Sequence, residues 1–119
     1  MQYALLIYRR EDVPQGATEE EQAQVIRDYW ALRSVPEVTT GAGLQPTETA
    51  TTIRSGDRDG QLLVTDGPFA DTKEVLAGFY VVEADDLDRA TEIAAMIPAV
   101  RFGGAIEIRP LAGPRETVS

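Results

Sequence analysis

Two stretches of this sequence carry large apolar side chains on both sides of an extended backbone, and this feature limits the fold more than any other. Residues 76–83 read LAGFYVVE, with aromatic and branched side chains at neighbouring positions. Residues 2–8 read QYALLIY and also lack polar alternation. Strands with this pattern are covered by protein on both faces. We therefore predict a first strand at 2–8 and a central strand at 76–83, in a sheet that needs packing partners on both sides.

The segment after the first strand has the pattern of an amphipathic helix. Thr18 and Glu21 have the spacing of a capping box, in which each side chain accepts a hydrogen bond from the backbone of the other residue. The apolar positions that follow are three and four residues apart and predict one broad buried face. That face consists of Val25, Ile26, Tyr29, Trp30 and Leu32. We expect Tyr29 and Trp30 to belong to the core and not to stack on a ligand.

A second, short helical piece is predicted directly after the first helix. Pro36 should end or bend the first helix, because proline removes a backbone donor. Ser34 and Glu37 repeat the capping-box spacing, and Gly41 suits a left-handed helix stop. The prediction for this region is a kinked helix that ends at Gly41.

The middle of the chain has the pattern of a β-hairpin. Residues 44–53 alternate threonine with small and apolar residues, and residues 61–65 form an apolar run. Between them, residues 55–60 (SGDRDG) are a cluster of turn-forming residues.

The last third of the chain predicts a helix and a closing strand. Asp85 or Asp86 caps the helix, and Pro98 ends it. Its apolar stripe consists of Leu87, Ala90, Ile93, Ala94 and Ile97. Residues 105–109 (AIEIR) alternate isoleucines with charged residues, and we expect the isoleucines to face the helices.

The predicted order is strand, helix, hairpin, strand, helix, strand, in a chain of 119 residues, which is the size of one domain. This order matches a split strand-helix-strand plan of the α+β class, with two helices on one face of an antiparallel sheet. Because the central strands are apolar on both faces, we predict that two copies pair through the uncovered face as a homodimer. We expect the domain to span residues 1–112 and residues 113–119 to form a mobile tail.

The composition excludes several classes of function. The chain has no cysteine and no histidine, which removes thiol nucleophiles, imidazole bases and the commonest zinc ligands. Its net charge of −9 disfavours binding to nucleic acid. No glycine loop of Rossmann or Walker type and no calcium-loop spacing occurs, so we expect no nucleotide cofactor and no metal. No apolar run reaches the roughly 20 residues of a membrane helix and no signal peptide is recognisable, so we expect no membrane partner and a cytoplasmic location.

The stretch TDGPFADTKEVLAGFYVVEADDLDRATEIA, followed by AIEIRP, resembles the YCII-related (YciI-like) family, specifically its DGPF branch. The resemblance implies a ferredoxin-like dimeric α/β barrel with a cleft beside the sheet, and no established reaction. Relatives are suspected of using a histidine with an aspartate, and this chain has no histidine. Of that pair, the resemblance therefore transfers only the aspartate, which is Asp66 of the DGPF tetrapeptide. The resemblance also implies a sigma factor as a conceivable regulatory partner.

Residues 65–74, TDGPFADTKE, hold the first set of candidate site residues. Asp66 is the candidate catalytic acid or base, and Lys73 and Glu74 are candidate substrate-binding residues, because a carboxylate, an ammonium and a second carboxylate can bind a substrate and transfer protons in a partly dry cleft. The alternative is structural. Asp66 then forms a turn, Phe69 fills the core, and Asp71 with Glu74 caps one helical turn.

Arg109 on the last strand is a further candidate for substrate binding. It shares a strand face with Glu107, so the pair is either a buried ion pair or part of a ligand site in which Arg109 holds an anion. Arg9 at the end of the first strand is interpreted as a solvated edge charge. Tyr8 and Tyr80 on strands either place their hydroxyls in a cleft or belong to the core, and their spacing does not separate the two uses.

Two functions from different classes fit these patterns. The first is a cofactor-independent enzyme or binding protein for a polar or anionic small molecule, with its cleft at the DGPF segment. The second is a non-catalytic accessory or regulatory protein in which the segment only shapes the fold. A concave pocket with convergent polar groups favours the first, and an exposed apolar patch favours the second.

Overall fold

The computed structural model describes residues 1–56, 60–70 and 72–113. It has two α-helices and six β-strands, with short 3-10 turns at Thr47–Thr49 and Pro98–Phe102. The protein is therefore of the α+β class, as predicted. In chain order the elements are β1 (Gln2–Arg9), α1 (Glu19–Leu32), β2 (Val38–Gly43), β3 (Thr51–Ser55), β4 (Leu62–Asp66), β5 (Val75–Glu83), α2 (Leu87–Ala95) and β6 (Ala105–Pro110).

The main sheet has four strands in the order β2-β5-β1-β6, and all neighbours are antiparallel. The two strands with apolar residues on both sides, β1 and β5, are the inner pair, which confirms the central position predicted for β5. Leu5 of β1 lies opposite Tyr80 of β5 and Ile108 of β6, so these three residues share one face. The hairpin β3–β4 forms a separate two-stranded sheet.

The core lies between one face of the main sheet and the two helices. Tyr3, Leu5 and Ile7 of β1 are buried on this face, and Ile106 and Ile108 of β6 pack against them, as the alternation predicts. The helices and the turn after α2 supply further buried side chains. The largest fully buried ones are Leu5, Leu32, Ile93, Ile97, Val82 and Pro98.

Both predicted helix starts are confirmed by their caps. Thr18 Oγ1 accepts a hydrogen bond from the Glu21 N–H at 3.0 Å, and Glu21 Oε1 accepts one from the Thr18 N–H at 3.2 Å. Asp86, and not Asp85, caps α2 by accepting from the Arg89 N–H at 2.9 Å. These side chains satisfy backbone donors that have no partner in the first helical turn.

The predicted helical piece up to Gly41 is wrong. α1 ends at Leu32, and the residues after Pro36 form strand β2, which pairs with β5. The β-branched residues from Val38 to Thr40 suit a strand, and the ladder to β5 satisfies their backbone groups, so strand pairing outweighs the capping pattern. Gly41 does not stop a helix. It makes room for the ring of Tyr80, which would come within 2.5 Å of an added Cβ.

The hairpin is present but shorter than predicted. β3 begins at Thr51, and the residues before it form a loop with one 3-10 turn. The predicted turn at residues 55–60 lies partly outside the described residues. The same is true of the cap predicted at Asp71 and of nearly all of the tail at 113–119.

Three apolar side chains expected in the core are exposed. Trp30 and Ile26 of α1 are 60% and 59% exposed, because only the part of the helix face with Val25 and Leu32 meets the core. Phe69, expected to fill the core, is 71% exposed, and the guanidinium of Arg54 lies 4.3 Å from its ring centre.

In the part of the chain that the structure describes, the second face of the main sheet carries no helix. Its inner strands present apolar side chains that are half-buried in a single chain, among them Leu6 and Tyr8 of β1 and Phe79 and Val81 of β5. The pairing of two copies through this face stays a prediction. Within the described ranges, no helix is long and apolar enough to cross a membrane.

Candidate functional site

A cavity of about 410 Å³ lies between α1 and the part of the main sheet formed by β2 and β5. α1 contributes Tyr29 and Trp30, and its C-terminal cap residue Arg33 follows Trp30 by three positions. The strands contribute Arg9 and Tyr80, together with a backbone segment of β2. Side chains that are far apart in the sequence thus converge on one concave space, which is typical of ligand sites.

The β2 segment that lines the cavity is unusually small, with the sequence Gly41-Ala42-Gly43. On β5, Gly78 lies opposite Gly43, and it also lines the cavity. A side chain at Gly78 would meet the Ala42 carbonyl oxygen at 2.8 Å. The cavity therefore exists because several strand positions beneath α1 have little or no side chain.

Two arginines give the cavity a positive charge. Arg9 Nη2 donates to the Val13 carbonyl at 2.6 Å, and the guanidinium of Arg33 lies 4.1 Å from the ring centre of Trp30. In the part of the chain that the structure describes, neither arginine lies within 4.0 Å of a carboxylate. Among the described residues, the lining contains no Asp or Glu, although the whole chain has a net charge of −9. An anion would thus find arginine donors that are not already occupied by an acid.

Two tyrosines in the cavity are hydrogen-bond donors at neutral pH. Burial raises the pKa of Tyr29 above its ordinary value, although Gln15 and the nearby arginines act in the opposite direction. Burial also raises the pKa of Tyr80, and the neighbouring Tyr29 adds to this effect. The Tyr29 hydroxyl donates to Gln15 Oε1 at 3.3 Å. Both phenols keep their protons. The Tyr80 hydroxyl can donate to an anionic ligand, whereas the Tyr29 hydroxyl would first have to give up its bond to Gln15.

A second cavity, of about 660 Å³, adjoins the first and shares Arg9, Leu44 and Ala77 with it. Of its three carboxylates, those of Glu11, Asp12 and Glu48, the first two already have partners. Glu11 accepts from the backbone N–H and the hydroxyl of Thr47 at 2.9 and 2.5 Å, and these bonds lower its pKa, with a smaller contribution from the charge of Arg9.

Asp12, also in the second cavity, accepts two bonds from Arg10 at 3.0 and 2.7 Å, which lower the Asp12 pKa. Among the described residues, no group of three or more acids is arranged to hold a metal ion. Glu11 and Asp12 therefore fasten the loops around the second cavity.

The structure places the candidate residues of the DGPF segment away from the first cavity. Asp66 is the last residue of β4, lies opposite Thr51, is exposed and lines neither cavity. Lys73 and Glu74 are also exposed. The charge of Lys73 lowers the pKa of Asp12 slightly, so this lysine lies near the second cavity. Asp66 is therefore not brought together with Lys73 and Glu74 at a cavity.

The glycine of the DGPF segment has a local structural role. Gly67 has a φ of 103°, a left-handed conformation that favours glycine. Its N–H donates to the Ala50 carbonyl at 2.7 Å, and its carbonyl accepts from the Thr52 hydroxyl at 2.8 Å. These bonds fasten the end of the hairpin, which supports the structural interpretation of this part of the segment.

Arg109 lies at the opposite edge of the sheet from the first cavity. It donates to Glu107 Oε1 at 2.5 Å, on the face that carries no helix. The predicted pairing of these residues is therefore present. In the single chain it is exposed and not buried, since the side chains of Arg109 and Glu107 are 65% and 48% accessible.

Several cavity residues were not predicted from the sequence. Arg9 was interpreted as a solvated charge, but it is half-buried and lines both cavities. Arg33 and Gln15 were not predicted as site residues. The one local signal was the position of Arg33 three residues after Trp30, which puts both on one side of a helix. Of the two strand tyrosines, Tyr80 lines the first cavity, whereas Tyr8 lies on the open face.

Comparison with known proteins adds the family. The model of the YCII-related domain matches residues 1–113. An uncharacterised protein of Rhizobium meliloti (strain 1021) is 38% identical over 117 residues, which cover 94% of this chain and 93% of the relative.

One solved structure is similar over 98% of both chains, with 16% identity and a TM-score of 0.45. It is 5-chloro-2-hydroxyhydroquinone dehydrochlorinase from Burkholderia phenoliruptrix AC1100, in complex with 2,5-dihydroxybenzoquinone. A similarity at this level supports no transfer of activity or ligand.

Proposed function

This chain belongs to the YCII-related family, and we propose that it binds a small organic anion in the cavity beneath α1. One observation carries the proposal. Arg9 and Arg33 converge on a cavity whose described lining has no acidic residue, in a chain that is strongly acidic overall. Acidic surfaces repel anions, so a local pair of arginines without carboxylate partners serves best as a binding site for a negative group.

The other lining residues suit the remainder of such a ligand. A volume of about 410 Å³ falls in the range of small-molecule sites, which are mostly apolar with a few placed polar groups. Tyr29, Trp30 and Tyr80 supply ring surfaces, and the phenol of Tyr80 supplies a neutral donor. The arginine forks match carboxylate geometry better than lysine does.

Catalysis is a separate proposal. The first cavity offers phenol hydroxyls as proton donors but no carboxylate base among its lining residues. The candidate acid or base Asp66 would act only on a substrate that reaches the hairpin. Its support is the local polarity of residues 65–74 and the resemblance of the DGPF segment.

We also propose that two copies pair through the face of the main sheet that carries no helix. The support is the half-buried apolar side chains of Leu6, Phe79 and Val81 on that face, which a partner would cover. The Glu107–Arg109 pair at the edge of this face would then lie at the rim of the interface, where charged residues are common.

An interaction protein is the second candidate function. The hairpin favours it, because Ile53, Leu62 and Val64 are about 60% exposed on one side of β3 and β4. A sigma factor as the partner rests only on the resemblance. A pull-down from native extract that returns no stoichiometric partner would count against this function.

The test of anion binding is a thermal-shift screen with small mono- and dicarboxylic acids. A ligand that binds only the native state raises its apparent stability. We expect acids that stabilise the wild type to lose this effect in Arg33→Gln. The matched control is Arg54→Gln, which removes an arginine that stacks on Phe69 at a similar distance but lines neither cavity. Equal loss in both variants, or stabilisation by no acid, would refute the proposal.

A further inference from the structure

The helix-facing side of the sheet has two glycines on neighbouring strands, and both line the cavity. Gly43 of β2 lies opposite Gly78 of β5, and Gly78 lies opposite Ile7 of β1. All three line the cavity. Glycine weakens a strand, and in a strand interior it often marks a place where a ligand or another backbone approaches closely.

Packing explains two of the nearby glycines but not Gly43. A Cβ on Gly41 would meet the ring of Tyr80, and one on Gly78 would meet the Ala42 carbonyl. A Cβ on Gly43 would meet no atom within 4 Å, and the backbone there is not left-handed. The fold therefore does not require a glycine at position 43. What the missing side chain leaves is free space.

Aromatic rings bound the same cavity on its other sides. Tyr29 and Trp30 come from α1, and Tyr80 comes from β5. A surface of backbone without side chains, combined with aromatic walls, accepts a flat ring better than a branched aliphatic group, since ring pairs gain from offset or edge-to-face contact.

We propose that the ligand is a ring-bearing anion whose flat ring lies against Gly43 and Gly78, while Arg9 and Arg33 hold its negative group. This inference rests on the anion site proposed above. It makes Gly43 a residue that determines specificity, because a side chain at this position would begin in the space of the ring, and its Cβ would meet no arginine atom within 4 Å.

The experiment compares benzoate with acetate as probes, on the wild type and on the graded series Gly43→Ala and Gly43→Val. Trp30 is the only tryptophan, so its indole N–H gives a single NMR signal that reports on the cavity. Ala105→Val, at an exposed position of β6 outside both cavities, is the matched control for added bulk on a strand. Amide spectra of each variant check that the fold is intact.

We expect Gly43→Val to weaken the binding of benzoate at least about tenfold, a size typical of small steric differences in a pocket. The affinity of Gly43→Val for acetate should stay within about twofold of the wild type. Gly43→Ala should have an intermediate affinity for benzoate, and Ala105→Val should bind both acids as the wild type does. If Gly43→Val leaves benzoate unchanged, or weakens acetate equally, the ring position is wrong while the anion site stands. If neither acid binds the wild type, the anion site itself is refuted, and this inference with it.

Discussion

Two arginines of this protein stack on aromatic rings at nearly the same distance from the ring centre, yet their surroundings differ. Arg33 lies 4.1 Å from the ring centre of Trp30, and Arg54 lies 4.3 Å from that of Phe69. The first stack borders a cavity that also receives Arg9 and Tyr80. The second lies on the hairpin, beside the most conspicuous segment of the sequence, and lines neither cavity.

The difference shows what turns an arginine–aromatic pair into a binding site. A stack of this kind contributes about the same small energy wherever it is exposed. A ligand gains specific binding only where several elements present donors and apolar walls around one space. The region beneath α1 meets that condition, and the hairpin does not.

The largest expected effect is a difference in the free energy of unfolding between a substitution in α1 and one on the hairpin. Leu32 at the end of α1 is fully buried, whereas Leu62 on the hairpin is 63% exposed. Leu32→Ala should lower the free energy of unfolding by about 2–5 kcal/mol, because it leaves a cavity in the core. Leu62→Ala should change it by less than about 0.5 kcal/mol. Urea denaturation measures both, and equal losses would show that the hairpin packs against protein in solution.

The next largest effect concerns the proposed pairing of two copies through the open face of the main sheet. Phe79→Glu puts a charge on the open face of the sheet, and we expect it to weaken the dimer on the order of 100-fold, since an unpaired buried charge costs several kcal/mol. Sedimentation velocity at micromolar concentration measures this. Leu62→Glu on the hairpin is the matched control and should leave the dimer intact. The opposite pattern would place the interface on the hairpin, and a monomeric wild type would refute pairing altogether.

A smaller effect concerns the bound anion. Arg9→Gln removes one charged donor from the cavity and should weaken a bound carboxylic acid about tenfold, the usual scale for a charge-assisted hydrogen bond. Asp66→Asn at the hairpin should change the affinity by less than about twofold. Isothermal titration with an acid found in the thermal screen measures both. An effect of Asp66→Asn as large as that of Arg9→Gln would move the site towards the DGPF segment.

The smallest effect is a pH dependence. Burial raises the pKa of Tyr29 in the folded state, so the folded protein keeps this proton where the unfolded chain, with a pKa of about 10, has lost it. The stability that this proton contributes is complete below about pH 10 and is lost as the pH rises towards the folded pKa. Urea denaturation between pH 9 and 11 should show a shallower fall for Tyr29→Phe than for the wild type. Identical slopes would contradict the burial of this phenol.

Local sequence patterns predict most of the fold. The capping residues Thr18 and Asp86 mark both helix starts, and the apolar composition of β1 and β5 identifies the inner strands. β2 was missed, because its short run of threonines and glycines becomes a strand only through its pairing with β5. Strand pairing is non-local, so a capping pattern near Pro36 could mislead a local interpretation.

The site was harder to predict than the fold for the same reason. The DGPF segment concentrates polar residues along the chain, but folding brings neither Asp66 nor Arg109 to the cavity. Arg9 and Tyr80 lie on β1 and β5, and Arg33 is the C-terminal cap of α1, so only the packing of α1 over the sheet brings them together. Position 43 gives no signal in a single sequence, because an unfilled space is visible only in three dimensions.

The most direct test of the cavity as the binding site is a map of chemical shifts in ¹⁵N-labelled protein during titration with a carboxylic acid from the thermal screen. We predict that the indole N–H of Trp30 and the amides of Gly41 and Gly43 move with one saturating curve, while the amides of Gly67 and Phe69 stay in place. Movement confined to Gly67 and Phe69 would place the ligand at the DGPF segment and contradict the proposed site beneath α1.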